Sequence, residues 1–271
     1  MTVAIAGLGL IGGSFLKAAQ AAGHAATGYH HGETPDLREA EIVIVAMPPH
    51  AIEPWMRAHE AAFMPGAIVV DVCGVKTPLF EAFKETRATS PGGLSRAWHF
   101  VPGHPMAGKE KGGFANATAD LFRGASMILT PYPYTGRGPL DKLEAFFLSV
   151  GFARVVLTTP QHHDEMIAFT SQLCHLVSSA YVREGLSAEA QGFTAGSFRD
   201  MVRVGAPDPD VWTELFLANR DSLMPVLDRY LARLQAFRRA LRDEDAAALK
   251  RDLAEGGVAK RLILAADPTL R

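Results

Sequence analysis

The glycine loop Gly7-Leu8-Gly9-Leu10-Ile11-Gly12 constrains this chain more than any other stretch. It follows the short apolar run Val3 to Ala6, which reads as a buried strand, and it opens a helical stretch from Ile11 to Ala22. A GxGxxG pattern is weak alone, but between a strand and a helix it is the fingerprint of a dinucleotide-binding turn. Gly7 permits the tight turn, Gly9 lets the backbone approach a pyrophosphate, and Gly12 lets helix and strand pack closely. The helix N-terminus adds unpaired N–H groups and a partial positive charge. The competing reading is a glycine-rich turn that holds no ligand.

Further strands are expected at Ala25–Tyr29, Glu41–Ala46, Ala67–Val72, Trp98–Val101, Ser126–Thr130 and Ala153–Leu157, with helices at Ile52–Ala61 and Pro78–Glu85. Met47-Pro48-Pro49 ends the Glu41–Ala46 strand. This alternation predicts a mostly parallel sheet covered on both faces. The segment from Tyr29 to Glu41 hardly holds a crossover helix and a strand, so the unit reads as a trimmed Rossmann-like domain. From about Thr159 no strand is evident. Helical patterns run over His162–Glu184 and Pro209–Leu241, with two shorter ones to Ala266. In the long helix Trp212, Phe216, Leu223, Val226, Tyr230, Leu234 and Phe237 recur at three-four spacing, with Asn219 a polar exception. So long a stripe points to packing against a second subunit; intrachain core is the alternative. The expected architecture is a trimmed α/β Rossmann-like domain over 1–158 followed by an all-α dimerisation domain over 159–271.

A net charge of -2 gives no bulk attraction for nucleic acid or an anionic membrane. The two cysteines, Cys73 and Cys174, form no CxxC pair, which argues against a disulfide framework or a structural zinc site and fits a reducing cytosol. The N-terminus lacks a basic leader region, and no apolar run reaches the ~20 residues a membrane helix needs. A cytoplasmic protein without nucleic-acid or membrane partners is expected.

The acid that would hold a ribose hydroxyl should follow the second strand, ~20 residues past the loop. The sequence there is Gly28-Tyr29-His30-His31-Gly32-Glu33, with no carboxylate directly after the strand and Glu33 the nearest. Histidines tolerate a 2′-phosphate better than an aspartate does, so NAD and NADP both stay open; His30 is either a cofactor contact or a solvent-facing loop residue. Phe100 to Gly113, FVPGHPMAGKEKGG, has no helical or strand periodicity and places His104 in a Gly/Pro-rich turn. Loops of this composition tend to carry chemistry, and His104 is the expected reactive group.

Six segments in order resemble the prephenate dehydrogenases, which share their fold with arogenate dehydrogenases: GLGLIGGS at 7–14, VDVCGVK at 70–76, GHPMAGKEKGG at 103–113, ADLFRGASMILTP at 119–131, HDEMIAFTSQLCH at 163–175 and GSFRDMVRV at 196–204, with Trp212 beyond. The resemblance covers nearly the whole chain. It implies oxidative decarboxylation of prephenate to 4-hydroxyphenylpyruvate in tyrosine biosynthesis, with hydride transfer to NAD or NADP. A histidine suits the proton transfer, and His104 matches the family's catalytic histidine. Arg203 matches its substrate-binding arginine, with Arg199 the competitor, and an arginine fork pairs well with a carboxylate. His175 and Trp212 match positions at the substrate, and Glu110 and Asp164 match acids that pair with the arginine and gate the site. Asp164 reads alternatively as a helix N-terminal acid.

The implied cofactor contacts are Gly7, Leu8, Gly9, Leu10, Ile11, Gly12, His30, Met47, Pro48, Cys73 and Gly74. Gly74 falls where many relatives have a serine, so that hydroxyl is missing. The substrate is prephenate or arogenate. A β-hydroxyacid dehydrogenase, an imine reductase or a non-catalytic dinucleotide sensor are the rival readings.

Overall fold

The computed structural model describes residues 1–30, 32–88, 98–109 and 111–267. Two compact units emerge from backbone packing, 1–223 and 224–271. The first begins with β1 (Thr2–Ala6), α1 (Leu10–Ala21), β2 (Ala25–Tyr29), β3 (Ile42–Val45), α2 (Pro49–His59), β4 (Ile68–Asp71), α3 (Thr77–Ala88) and β5 (His99–Phe100). The five strands form a parallel sheet in the order β2-β1-β3-β4-β5. The chain leaves β2 and returns on the other side of β1, so the strand order reverses between β1 and β3. That switch point is where open α/β sheets bind ligands. Between Tyr29 and Ile42 the described residues form no helix or strand, so the unit is trimmed as expected.

Period-two alternation explains why the central strands read as continuous apolar runs. Val3, Ile5, Ile42, Ile44, Ile68 and Val70 pack with Phe15 of α1 on one face. Ala4, Val43, Val45 and Val69 pack with Ile52, Met56 and Phe83 on the other.

The expectation of one sheet is corrected beyond β5. β6 (Gly103–Pro105), β7 (Ser126–Leu129) and β8 (Arg154–Leu157) form a separate sheet in the order β6-β7-β8; α4 (Arg137–Ser149) joins β7 to β8. β6 runs antiparallel to β7, and β7 parallel to β8. Pro102 sits at the junction. It has no N–H to continue the first ladder, and its carbonyl accepts the Thr130 amide at 2.9 Å instead.

His104 therefore lies on an edge strand, not in a turn, paired in register with Ile128. Gly103 and Pro105 misled because both are turn formers. Here Gly103 allows close approach, since a Cβ would lie 2.5 Å from Met127 Cε and 2.9 Å from Val70 Cγ1. Pro105 is tolerated because β6 is an edge.

The helical part opens with α5 (Pro160–Ile167), a π-helical turn over 168–172 and α6 (Leu173–Val182), followed by α7 (Gly196–Val202) and α8 (Pro209–Ala218). The expected Pro209–Leu241 helix is two helices, because Asn219 ends α8 before α9 (Arg220–Arg242) begins. The polar exception in the apolar stripe marks the break. Asn219 is buried, and its Nδ2 donates to the Asp164 carbonyl at 3.0 Å and to Gln172 Oε1 at 2.7 Å. The two short helices expected at the end are one, α10 (Ala246–Ala266). Among the described residues no helix is long and apolar enough to cross a membrane.

Gly7 and Gly12 make the tightest test of the first turn. Gly7 has φ +93°, and a Cβ at Gly12 would sit 1.9 Å from the Gly7 carbonyl oxygen. Backbone cannot yield as a flexible side chain does. Gly12→Ala is expected to destabilise the protein by at least ~1–3 kcal/mol, read as a lower urea midpoint; an unchanged midpoint contradicts this packing.

Candidate active site

The site begins at the carboxyl end of β4. Asp71 and Lys76 are fully buried and paired with each other. Asp71 also accepts the amide of Cys73 at 2.9 Å and that of Gly103 at 3.2 Å, while the Lys76 ammonium donates to the Gly103 carbonyl. Both backbone groups of Gly103 are thus held by one ion pair, and His104 follows directly. A buried pair of this kind costs desolvation and repays it through geometry and added hydrogen bonds.

The second support comes from α5. Thr159 caps that helix through the His162 amide, and Pro160 occupies its first turn, the position where the missing N–H costs nothing. This start places His163 and Asp164 inward, both buried. Asp164 Oδ1 accepts the Lys76 amide at 2.8 Å and Oδ2 accepts the Thr77 amide at 2.8 Å. Those are the first amides of α3, so Asp164 is a helix N-terminal acid, but of α3 and not of its own helix. Asp164 Oδ1 also lies 2.7 Å from His163 Nδ1. The expected pairing of Asp164 with the substrate arginine is corrected by these partners: its carboxylate faces α3 and His163.

His163 Nε2 lies 2.9 Å from His104 Nδ1. A carboxylate only accepts, so His163 donates from Nδ1 and its Nε2 is an acceptor; His104 must then donate from Nδ1. The chain of bonds fixes both tautomers and, among the described residues, leaves the lone pair of His104 Nε2 uncommitted. Burial pushes the His104 imidazole well below the usual histidine range, and His163 and the Lys76 ammonium push it the same way. Burial also lowers His163, against the opposing bond to Asp164. For Asp164, burial alone would raise the pKa, but the bonds from His163, Thr77 and Lys76 outweigh it and hold the group ionised. A neutral, oriented imidazole is what a general base requires.

Gly74 lies beside this imidazole. A Cβ there would sit 3.4 Å from Leu215 Cδ2 and 3.9 Å from His104 Cε1. The position where the resemblance implies a serine therefore borders His104, and Leu215 of α8 covers it. Cys73 is buried, and burial pushes its thiol up to about 11, so it is an inert thiol at neutral pH. One turn before Leu215, Trp212 packs on His175, ring centroids 3.8 Å apart. His175 Nδ1 lies 3.0 Å from the Val204 carbonyl, which makes Nδ1 the donor. Burial lowers the His175 pKa, and the nearby Arg203 guanidinium lowers it further. The structure thus brings His175, Trp212 and Arg203 together on α6, α8 and the end of α7. Glu110 lies outside the described residues.

At the switch point the glycine loop fits a dinucleotide. Gly9 faces open space, with nothing within 4 Å of a Cβ built there. The start of α1 has neither a side-chain cap nor an acid in its first turn, so its N–H groups remain for phosphate. Met47 packs against Gly7, and Pro48 starts α2. Leu8 packs against Gly28 of β2, and Leu8 and Ile11 both pack against the core, so they shape the loop from behind; Leu10 is half-buried.

The sequence reading missed His163, Lys76 and Asp71 as site residues. The signals were the acid at a strand end in VDVCGVK and the doubled histidine before Asp164. It also missed Gln172, whose Nε2 donates to the Leu215 carbonyl at 3.1 Å and whose Oε1 receives Asn219. This pair of amides sits at the π-helical turn, and such turns concentrate at functional sites.

Comparison with known proteins agrees with this geometry. The profile of the prephenate dehydrogenase nucleotide-binding domain matches residues 14–157, and that of the prephenate dehydrogenase dimerization domain matches 159–255. A cyclohexadienyl dehydrogenase of Zymomonas mobilis is 30% identical over 99% of this chain and 98% of its own length. The crystal structure of Synechocystis arogenate dehydrogenase superposes with a TM-score of 0.79 at 27% identity, covering 97% of this chain and 100% of that one. A prephenate dehydrogenase from A. aeolicus, solved with hydroxyphenyl propionate and NAD+, shares the fold with a TM-score of 0.81 at 24% identity, over 97% and 98% of the two chains.

Removing one partner of the buried pair leaves the other charge uncompensated. Lys76→Met is expected to cost ~3–5 kcal/mol in urea unfolding. Asp71→Asn added to it should recover part of that loss. A single variant as stable as the parent contradicts the central role of the pair.

Proposed function

The chain belongs to the prephenate dehydrogenase family, and we propose that it converts prephenate to 4-hydroxyphenylpyruvate by oxidative decarboxylation, with hydride transfer to NAD(P), in tyrosine biosynthesis. The observation that carries this reading is the bonded series Asp164–His163–His104, which leaves His104 Nε2 as a neutral acceptor. His104 takes the proton of the ring hydroxyl as hydride leaves the carbon that bears it. Loss of carbon dioxide then returns an electron pair to the ring, and His104 gives the proton back to the oxygen as it becomes a phenol. Aromatisation drives the second half, so one well-placed base suffices. His163 and Asp164 act through His104: they orient its ring and hold its tautomer.

NAD(P) supplies the hydride acceptor when bound. Gly7, Gly9 and Gly12 with the first amides of α1 hold its pyrophosphate, while Met47, Pro48, Cys73 and Gly74 line the strand ends beside it. Arg203 pairs with a substrate carboxylate, and Trp212 and His175 wall that side. We assign 1–158 to the cofactor and 159–271 to the substrate and to a homodimer contact. The dimerization-domain match and the exposed Leu241, Leu253 and Leu262 support a homodimer.

A second reading, with arogenate as substrate, rests on His175. Its Nδ1 donates to Val204, so the neutral ring offers Nε2 as an acceptor, which suits an ammonium group better than a keto oxygen.

The test is turnover of prephenate and of arogenate with each cofactor, followed by absorbance of reduced cofactor; no turnover in any combination overturns the proposal. His104→Asn is expected to lower kcat by ~10²–10⁴-fold, and Arg203→Ala to act mainly on KM. His163→Asn should lower kcat with little change in KM. The base works in its neutral form, and its folded pKa is lowered, so the acid limb of kcat/KM should lie below the ordinary histidine value of ~6.5. A limb at or above that value contradicts the assignment.

A further inference from the structure

The trimmed segment after β2 lacks an acid at the expected place, yet the fold brings one back. The Glu33 amide closes a tight turn by donating to the His30 carbonyl at 3.2 Å. Gly32 has φ +86°, a conformation that suits glycine in such a turn. The turn throws the Glu33 side chain backwards, and its Oε2 accepts the His30 amide at 2.6 Å.

That amide marks a defined place. His30 follows the last residue of β2, and β2 ends in register with β1, Ala6 opposite Tyr29. The Gly7 amide donates to the Tyr29 carbonyl at 2.9 Å. The Glu33 carboxylate therefore stands one peptide beyond the bond that joins the glycine loop to β2. It lies outside the carboxyl ends of β1 and β2, beside the start of the pyrophosphate turn. One of its oxygens is held by His30, and the other has no partner among the described contacts. In a Rossmann unit this is where the ribose diol of the adenosine half arrives.

A 2′-phosphate at the same place would meet this negative charge. The lysine of α1 is otherwise engaged: Lys17 Nζ donates to the Ala117 carbonyl at 2.7 Å and lies 4.9 Å from the centre of the Phe114 ring. Phe114 in turn makes an edge contact with the His30 ring, which positions that imidazole on the α1 side.

We infer that Glu33, folded back onto the end of β2, supplies the carboxylate that holds the adenosine ribose diol and so selects NAD over NADP. The inference rests on cofactor binding at the glycine loop, and it is independent of which ring substrate is used.

The test is equilibrium binding without substrate, by calorimetric titration of NAD+ and NADP+ into the full-length protein. The parent should bind NAD+ at least ~10-fold tighter than NADP+, about the value of one charge-assisted hydrogen bond. Glu33→Gln retains an oxygen that can accept the His30 amide, so the turn survives and only the charge is lost. That variant should bind NAD+ ~10-fold more weakly and narrow the preference by at least as much. Glu33→Ala, with its circular-dichroism spectrum and melting curve compared to the parent, separates loss of the turn from loss of the charge. Equal affinity of the parent for both cofactors, or an unchanged preference in Glu33→Gln, overturns the inference while leaving the enzyme assignment intact. Binding of neither cofactor overturns the inference together with the dinucleotide reading.

Discussion

The buried Lys76–Asp71 pair is the interaction on which the rest of the site depends. It closes the end of β4, holds the amide of Cys73 and grips both backbone groups of Gly103. The residue after Gly103 is the catalytic candidate, so the position of the imidazole is set by an ion pair that never meets solvent. The same lysine acts at a distance, since its charge helps keep the His104 ring neutral. A single buried cation thus does structural and electrostatic work at once, which explains why it tolerates the cost of burial.

The start of α3 is the second junction. Its first amides need acceptors, and Asp164 of α5 provides them. Meeting that need fixes where α5 sits, and with it His163. The π-helical turn and the break at Asn219 belong to the same arrangement, because Gln172 and Asn219 lock α5 and α8 together behind the imidazoles. Leu215, on α8, then borders His104 across Gly74. The helical segments here form the wall that orients the base, and not merely a cover over the cofactor half.

Much of this was legible in the residues themselves. The glycine loop, the trimming after Tyr29 and the buried strands follow from local pattern, because a parallel strand buried on both faces has to read as an unbroken apolar run. His104 is legible as a candidate reactive group, but its setting is not. Gly103 and Pro105 are turn formers by propensity, and only the neighbouring Val70 and Met127 show that the glycine is there for close approach. Asn219 was visible as an anomaly in an apolar stripe, without any sign that it ends one helix and bonds another. The resemblance pairs Asp164 with an arginine, whereas its carboxylate accepts the Lys76 amide, 88 residues away in sequence, at the start of α3.

The sequence alone determined the class of the fold, the glycine turn where a dinucleotide is expected and the histidine that is the candidate base, since each is written in spacing over a few residues. The tertiary structure decided which groups surround that histidine. Asp71 and Lys76 come from one segment and His163 and Asp164 from another; the two meet His104 only when the chain is folded, and no local pattern encodes a contact of that kind. Hydrogen bonding between distant segments also fixed the tautomers, because which ring nitrogen carries the proton depends on the partner it meets and not on the residue itself.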